Sequence, residues 1–277
     1  MEKDISLYKE IQEPVVIFHK PVTEPHRNIP HLHSQFEFCY NIQGADGMFV
    51  DKKLYKCEGH DLFLIPQICV HRILVPKDVQ YERCIINLDA SFVDAVNGLP
   101  GVEGALTWLE KHRTGAPLKV RLNDADHQSF VAMVDAYRSP NQNQVSKLSV
   151  LIQLLVFLEK QFRFAKEGEV RQAESLAEQA LVIIEENFRD IKVSELSKKL
   201  YVNSGYLSDL FKEAYEITPG QYLLLRKVAE AKKHLYLGRS GSEACTLSGF
   251  GNYTNFIRTF KKIEGYPPGS LEKLDPL

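Results

Sequence analysis

The sequence YLSDLFK at Tyr206–Lys212, with the tripeptide TPG at Thr218–Gly220 close behind it, decides the fold of the C-terminal part of this chain. The pattern returns 49 positions later as NFIRTFK at Asn255–Lys261, followed by PPG at Pro267–Gly269. Self-similarity at a fixed offset indicates a duplicated structural unit. The same offset aligns two further pairs, Leu196 with Cys245 and Tyr201 with Phe250.

Each copy is predicted to contain a short helix, a turn of a few residues, a second helix and a third helix that begins at a proline. Thr218 and Pro219 illustrate that start signal, because threonine caps a helix and proline suits its first position. Apolar residues in each second helix recur at intervals of three and four, which places them on one face. We therefore predict two helix-turn-helix units whose second helices bury Leu207, Leu210, Phe211 and Ala214 in the first copy and Phe256, Thr259, Phe260 and Ile263 in the second.

The opposite faces of the two second helices are expected to meet DNA, because the second helix of a helix-turn-helix unit can enter the major groove. Arg258 can form two hydrogen bonds to guanine, and Asp209 can accept one from a cytosine amino group. The hydroxyl groups of Ser208 and Thr254 suit either a base or a phosphate. The predicted DNA-contact residues are Ser204, Gly205, Ser208, Asp209, Lys212, Tyr253, Thr254, Ile257, Arg258 and Lys261.

The helix between the two copies is predicted at Pro219–Leu237 and would be about 28 Å long at a rise of about 1.5 Å per residue. Recognition helices in successive major grooves on one face of DNA lie roughly 34 Å apart, so this length is compatible with tandem binding. The alternative is an all-helical module that binds other proteins. Because helical solenoids need three or more repeats and two copies are visible, we favour DNA binding.

Between Pro14 and Leu88 the chain consists of short runs rich in β-forming residues, interrupted by turn-forming residues at Gly44–Gly47 and Val50–Leu54. Many short strands at this spacing predict a small antiparallel barrel or sandwich. The predicted strands are Val15–Phe18, Phe36–Ile42, Met48–Val50, Leu62–Ile65, Val70–Val75 and Cys84–Leu88.

After Asp89 the apolar period changes to about 3.6 residues, which predicts helices at Ser91–Val96, Asp124–Tyr137 and Val145–Phe164. The last helix carries an apolar surface wider than one barrel face needs. Packing against its own barrel and packing against a second copy of the chain therefore both remain open.

A short polar segment then predicts a linker. We divide the chain into an effector-binding and dimerisation domain at residues 1–166, a linker at 167–175 and a DNA-binding domain at 176–277.

The composition of the chain limits the classes of protein to which it can belong. The first ten residues are charged and no apolar run is long enough to span a bilayer, so we expect a cytoplasmic protein without a membrane segment. The five cysteines lack the spacing of a zinc knuckle and are expected to be reduced thiols. The net charge is −2, but basic residues outnumber acidic ones by 13 to 9 from Ile191 onward, which is compatible with a phosphate-facing surface.

The C-terminal pattern resembles the DNA-binding domain of the AraC/XylS family of bacterial regulators, over about Leu176–Leu274. This chain departs from the family at Glu216, where glycine is usual, at Cys245, where alanine is usual, and at Lys227, where arginine is usual. Leu271 and Glu272 also replace a common tyrosine-arginine pair. The residues that carry the resemblance are Tyr206, Leu207, Ser208, Phe211, Lys212, Tyr222, Leu223, Ala231, Gly249, Phe250, Phe256, Arg258, Phe260, Lys261, Gly265 and Pro268.

The N-terminal pattern of His31, His33, Glu37 and His71, with Gly44, Gly59 and Pro66 between them, resembles the two motifs of the cupin β-barrel. In metal-binding cupins the positions that match these histidines and this glutamate are the metal ligands. Three imidazoles and a carboxylate suit zinc, iron, nickel or manganese. A bound metal, direct contact with an organic effector and a purely structural polar network all remain open. The candidate effector-binding residues are His31, His33, Glu37, Phe38, Tyr40 and His71.

These observations predict an α+β multidomain chain: a cupin-like β-barrel with a helical appendage, then an all-α domain with two helix-turn-helix motifs joined by a long helix. The expected function is a transcription regulator, not an enzyme, that binds double-stranded DNA as a homodimer and responds to a small effector in the barrel. The resemblance implies a sugar or related metabolite as effector, and RNA polymerase as a further partner. No cofactor is established, although a divalent metal is the candidate. The runner-up is a metal-dependent cupin enzyme or metal sensor whose tail binds DNA or mediates assembly.

Overall fold

The structure is a computed structural model that describes residues 13–20 and 30–271. Its strands are β1 (Val15–Lys20), β2 (Phe36–Gln43), β3 (Gly47–Val50), β4 (Lys53–Lys56), β5 (Asp61–Ile65), β6 (His71–Leu74), β7 (Glu82–Leu88), β8 (Leu118–Arg121) and β9 (Lys166–Glu167). Every pairing between them is antiparallel. They form a six-stranded sheet in the order β1-β7-β2-β5-β8-β9 and a three-stranded sheet in the order β4-β3-β6. All six predicted strands are present.

The two sheets, which we call the barrel, enclose an apolar core. Because successive side chains of a strand point to opposite faces, β2 contributes to two different cores. Cys39 points inward and packs with Met48, Tyr55 and Ile65 between the sheets. Phe36, Phe38 and Tyr40 point outward, where helices cover the six-stranded sheet.

Four helices follow the strands or lie between them: α1 (Ala90–Asn97), α2 (Thr107–Glu110), α3 (Asp124–Arg138) and α4 (Gln144–Phe162). Asn123 and Asn143 cap α3 and α4 through hydrogen bonds from backbone amides. One face of α4 is buried against the barrel through Leu151, Leu154, Leu155, Leu158 and Phe162. A second apolar face is exposed and consists of Val145, Leu148, Ile152 and Val156.

The segment predicted as a linker runs along the barrel. β9 pairs with β8, and the Lys56 amide donates to the Glu169 carbonyl at 2.8 Å. The Arg171 amide donates to the Leu54 carbonyl at 2.8 Å, while the Arg171 guanidinium pairs with Glu178 at 2.7 Å. The segment is therefore hydrogen-bonded to the three-stranded sheet on its way to the helical part of the chain.

The C-terminal part is helical: α5 (Leu176–Asn187), α6 (Val193–Lys199), α7 (Ser204–Tyr215), α8 (Pro219–Tyr236), α9 (Gly241–Leu247), α10 (Tyr253–Glu264) and a 3-10 turn (Pro268–Ser270). Capping boxes begin α5, α8 and α9, and the one at α8 includes Thr218, as the start signal in the sequence predicts. Within the described residues, none of the helices is long and apolar enough to cross a membrane.

The two copies of the repeat differ in the length of their turns. The second helices, α7 and α10, begin 49 residues apart, but the first helices, α6 and α9, begin 48 residues apart. The alignment of Leu196 with Cys245 and of Tyr201 with Phe250 is therefore wrong by one residue. Leu196 corresponds to Ala244, Tyr201 to Gly249 and Val202 to Phe250, because the backbone hydrogen bonds of the two turns match only in that register.

The barrel packs directly against the helical part. Phe49, Leu54 and Leu74 of the three-stranded sheet share a core with α5 and with the first helix-turn-helix unit. A second apolar contact joins Leu32, Ile68 and Val70 of the barrel to Ala229 and Tyr236 of α8. Helix α8 thus contacts the barrel as well as helices of both units.

All five cysteines, Cys39, Cys57, Cys69, Cys84 and Cys245, are buried thiols without disulfide bonds. This agrees with the expectation of reduced cysteines. Burial raises the pKa values of these thiols above their usual range.

Candidate effector site and DNA-contact surface

The structure brings His31, His33, Glu37 and His71 together, with one potential ligand atom from each lying within 4.8 Å of the others. Glu37 lies on β2 and His71 begins β6, so the group draws on both sheets. His31 and His71 also exchange two backbone hydrogen bonds, at 3.0 and 2.9 Å. We call these four residues the histidine–glutamate cluster.

Two of the imidazoles are oriented by backbone carbonyl groups. Nδ1 of His33 lies 3.1 Å from the Gln35 carbonyl oxygen, and Nδ1 of His71 lies 2.9 Å from that of Cys69. A ring nitrogen that donates to a carbonyl leaves Nε2 directed elsewhere, and in both residues Nε2 faces Glu37. This is the arrangement by which metal-binding histidines are usually held.

The carboxylate of Glu37 is buried beside the imidazoles, and one of its oxygens lies 2.7 Å from Nε2 of His33 and 3.5 Å from Nε2 of His71. Burial alone would raise the pKa of Glu37, but the neighbouring His71 and His33 outweigh it and hold the pKa well below its usual range. For His71, burial lowers the pKa, but Glu37 outweighs this and the pKa is raised. The cluster therefore stabilises an anionic carboxylate away from bulk water.

The cluster faces a cavity of about 80 Å³. Arg83 and Asn87 of β7 line the barrel side of this cavity. On the other side the ion pair between Lys232 and Glu264, at 2.9 Å, belongs to the helical part of the chain. The residues that α8 and α10 contribute to the wall are Leu225, Ala229, Lys232, Ile263 and Glu264.

Phe38 and Tyr40 do not reach this cavity, which corrects the expectation that they line the same site as the histidines. They lie at even positions of β2, whereas Glu37 lies at an odd one, and so they point to the other side of the sheet. Phe38 packs against Phe162 at 5.6 Å between ring centroids. The Tyr40 hydroxyl lies 2.7 Å from Nδ1 of His127 on α3.

Sequence reasoning missed several residues of the cavity wall. Arg83 and Asn87 carried no motif, although their alternation with apolar residues on β7 is a weak signal that they face inward. Lys232 and Glu264 gave no signal at all, because their position depends on how two distant parts of the chain pack together.

The predicted DNA-contact residues lie on two exposed helix faces. The buried residues are Leu207, Phe211 and Tyr215 in α7 and Phe256, Phe260 and Ile263 in α10. The periodicity predicts all of these except Tyr215, but Leu210, Ala214 and Thr259, which were also expected to be buried, are only partly so. Asn203 and Asn252 cap the two helices. Ser208 and Ile257 are partly exposed, and the exposed members are Ser204, Gly205, Asp209, Lys212, Tyr253, Thr254, Arg258 and Lys261.

Comparison with protein families gives two matches. A model described as an AraC-like ligand binding domain matches residues 15–120, and one described as a helix-turn-helix domain matches residues 196–273. Two relatives are each 29% identical. The HTH-type transcriptional regulator YtdP of Bacillus subtilis (strain 168) matches over 104 residues, which make up 37% of this chain and 14% of that relative. An HTH-type transcriptional regulator in the cgkA 5' region of Pseudoalteromonas carrageenovora matches over 110 residues, which make up 39% of this chain and 66% of that relative.

Among solved structures, unsaturated fatty acid bound ToxT from Vibrio cholerae strain SCE256 is similar with a TM-score of 0.40 and 12% identity, over 92% of each chain. The C-terminal domain of the response regulator yesN from Fusobacterium nucleatum is 36% identical, with a TM-score of 0.32, over 33% of this chain and 92% of that domain.

The two matches place a ligand-binding domain before a helix-turn-helix domain, in the order in which the barrel and the two helix-turn-helix units follow one another here. Both matches confirm the resemblance to the AraC family that was found in the sequence.

Proposed function

We propose that this protein binds double-stranded DNA through α7 and α10, and that a divalent transition metal ion at the histidine–glutamate cluster controls this binding. The observation that carries the metal assignment is the orientation of His33 and His71. Both place Nδ1 against a backbone carbonyl, while Nε2 faces the Glu37 carboxylate. Within the described part of the chain, the buried Nε2 of His71 makes no hydrogen bond of normal length.

The donor set fits such an ion. Three imidazoles and a carboxylate suit zinc, iron, nickel or manganese, and ligand atoms around zinc lie roughly 3.4 Å apart when each is about 2.1 Å from the metal. The present separations of up to 4.8 Å would have to shorten somewhat, and the contact between His33 and Glu37 would open. Such an ion would supply a positive charge that holds the four side chains together.

The size of the cavity favours a metal over the sugar that the family resemblance suggests. Its volume of about 80 Å³ is smaller than the roughly 150 Å³ that accommodates benzene in an engineered cavity. A sugar would require Lys232 and Glu264, and with them α8 and α10, to move away from the barrel.

We also propose that the exposed face of α4 binds a second copy of this chain. Val145, Leu148, Ile152 and Val156 recur at intervals of three and four, which forms a narrow apolar seam of the kind that pairs helices. A seam on one helix is self-complementary about a twofold axis, so the same surface serves both partners. Dimerisation would present four helix-turn-helix units to DNA.

Metal analysis of the purified protein, after dialysis against zinc, tests the assignment. We expect about one equivalent of zinc per chain in the wild type and in the control His112→Ala, which removes an imidazole outside the cluster. His33→Ala should retain less than a tenth of that. Equal zinc in all three proteins would contradict the cluster as the site. Zinc binding without any change in DNA affinity would instead favour the alternative of a metal-dependent enzyme with a DNA-binding tail.

A further inference from the structure

Strand β6 places two functional groups on opposite sides of the barrel wall. His71 and Arg72 are consecutive residues of this strand, so their side chains point to opposite faces. His71 points into the barrel, toward the histidine–glutamate cluster. Arg72 points out of the barrel, into the helical part of the chain.

Arg72 enters the first helix-turn-helix unit. Its guanidinium carbon lies 4.5 Å from the ring centroid of Tyr215 and 5.1 Å from that of Tyr222. Arg72 is only 1% exposed. Burial of a cation is costly unless the charge is compensated, and the negative faces of two aromatic rings supply part of that compensation. The position of Arg72 between the two rings is therefore narrowly defined.

The two tyrosines lie where α7 meets α8. Tyr215 is the last residue of α7, which carries the first predicted DNA-contact face, and Tyr222 lies in the first turn of α8. Both rings pack edge-on against Phe211, at centroid distances of 4.7 and 5.7 Å. A displacement of Arg72 must therefore change how α7 packs against α8.

A series of hydrogen bonds leads from Tyr222 toward the second helix-turn-helix unit. The Tyr222 hydroxyl donates to Glu185, which also accepts from Arg226 at 2.7 Å. Arg226 donates to Glu230, which accepts from Arg189 at 2.9 Å. Arg189 in turn donates to the carbonyl oxygen of Leu247, the last residue of α9, at 2.7 Å.

We infer that Arg72 transmits the state of the histidine–glutamate cluster to the first helix-turn-helix unit. This inference rests on the proposed function. A single peptide unit joins His71 to Arg72. Strand β6 is short, and among the described strands it pairs in its sheet only with β3. A further backbone pairing is the bridge between His71 and His31. A shift of His71 when the cluster is occupied is therefore shared by Arg72, which moves relative to Tyr215 and Tyr222.

The test compares DNA affinity with and without zinc for the wild type, Arg72→Leu and the control Lys77→Met. Lys77 also contacts α7, through an exposed ion pair with Glu213, but lies outside β6. The DNA is a fluorescent duplex selected from a randomised library by the wild-type protein. Zinc should change the affinity of the wild type and Lys77→Met at least about fivefold, the lower end of usual allosteric effects. For Arg72→Leu the change should be below about twofold, with one equivalent of zinc still bound.

A second variant tests the same contact independently, in case Arg72→Leu does not fold. Tyr215→Leu removes one ring from the opposite side of the contact, and we expect it to lose the zinc response as well while retaining zinc. Amide hydrogen exchange in α7 supplies an independent readout: zinc should alter exchange there in the wild type but not in Arg72→Leu. A full zinc response in both variants would overturn the role of Arg72 and leave the proposed function intact. A wild-type protein that binds no zinc would overturn both.

Discussion

At the scale of single residues, the two copies of the repeat end their second helices in the same unusual conformation. Glu216 follows α7 with φ of +61°, and Gly265, 49 residues later, follows α10 with φ of +86°. The left-handed region costs a non-glycine residue about 1–2 kcal/mol. The departure from the family glycine at Glu216 therefore places strain at the end of the first predicted DNA-contact helix, while the second copy is free of it.

We expect Glu216→Gly to raise the free energy of unfolding of the helical part by about 1 kcal/mol, because glycine relieves the left-handed strain. The matched change Gly265→Ala should lower it by a similar amount. Urea denaturation followed by far-ultraviolet circular dichroism measures both. A loss of stability in Glu216→Gly would show that the side chain makes a contact that outweighs the strain.

At the scale of elements, the periodicity of apolar residues predicted those helices whose bounds depend on residues close together in sequence. The helices with a strong 3.6-residue period and clear caps, such as α3, α4 and α8, were found close to the expected bounds. Strands β4, β8 and β9 were missed because they are only two to four residues long, and β8 and β9 are in addition defined by partners that are distant in sequence. The sequence did not show which side chains of β2 face the cavity, and Phe38 and Tyr40 were consequently assigned to the same effector site as Glu37.

The exposed face of α4 leads to a prediction about assembly. The double change Leu148→Glu and Ile152→Glu puts two charges into the proposed seam, so a dimeric wild type should become monomeric. Gln153→Glu, at an exposed position of the same helix outside the seam, should remain dimeric. Sedimentation at micromolar concentration distinguishes the two states. A monomeric wild type, or a double variant that still dimerises, would contradict the proposed partner surface.

At the scale of the whole molecule, α8 joins the functional parts. It shares apolar contacts with the barrel, lines the cavity through Lys232 and packs within the cores of both helix-turn-helix units. Lys227, which replaces the usual arginine of the family, donates to the carbonyl oxygens of Arg189 and Gly249 at 3.0 and 2.7 Å and so connects α8 to the turn of the second unit. The sequence indicated the two domains and the four residues of the cluster. It could not indicate Arg72 or Lys232, because their roles arise from docking between domains.

The exposed faces of α7 and α10 are proposed to read DNA. This is measured as the dissociation constant of the protein for a duplex that the wild type selects from a randomised library. Arg258→Ala should weaken binding by roughly 5- to 150-fold, since a two-hydrogen-bond contact to guanine contributes about 1–3 kcal/mol. Ser208→Ala should weaken it less. Affinities within twofold of the wild type for both variants would contradict the assignment of these faces.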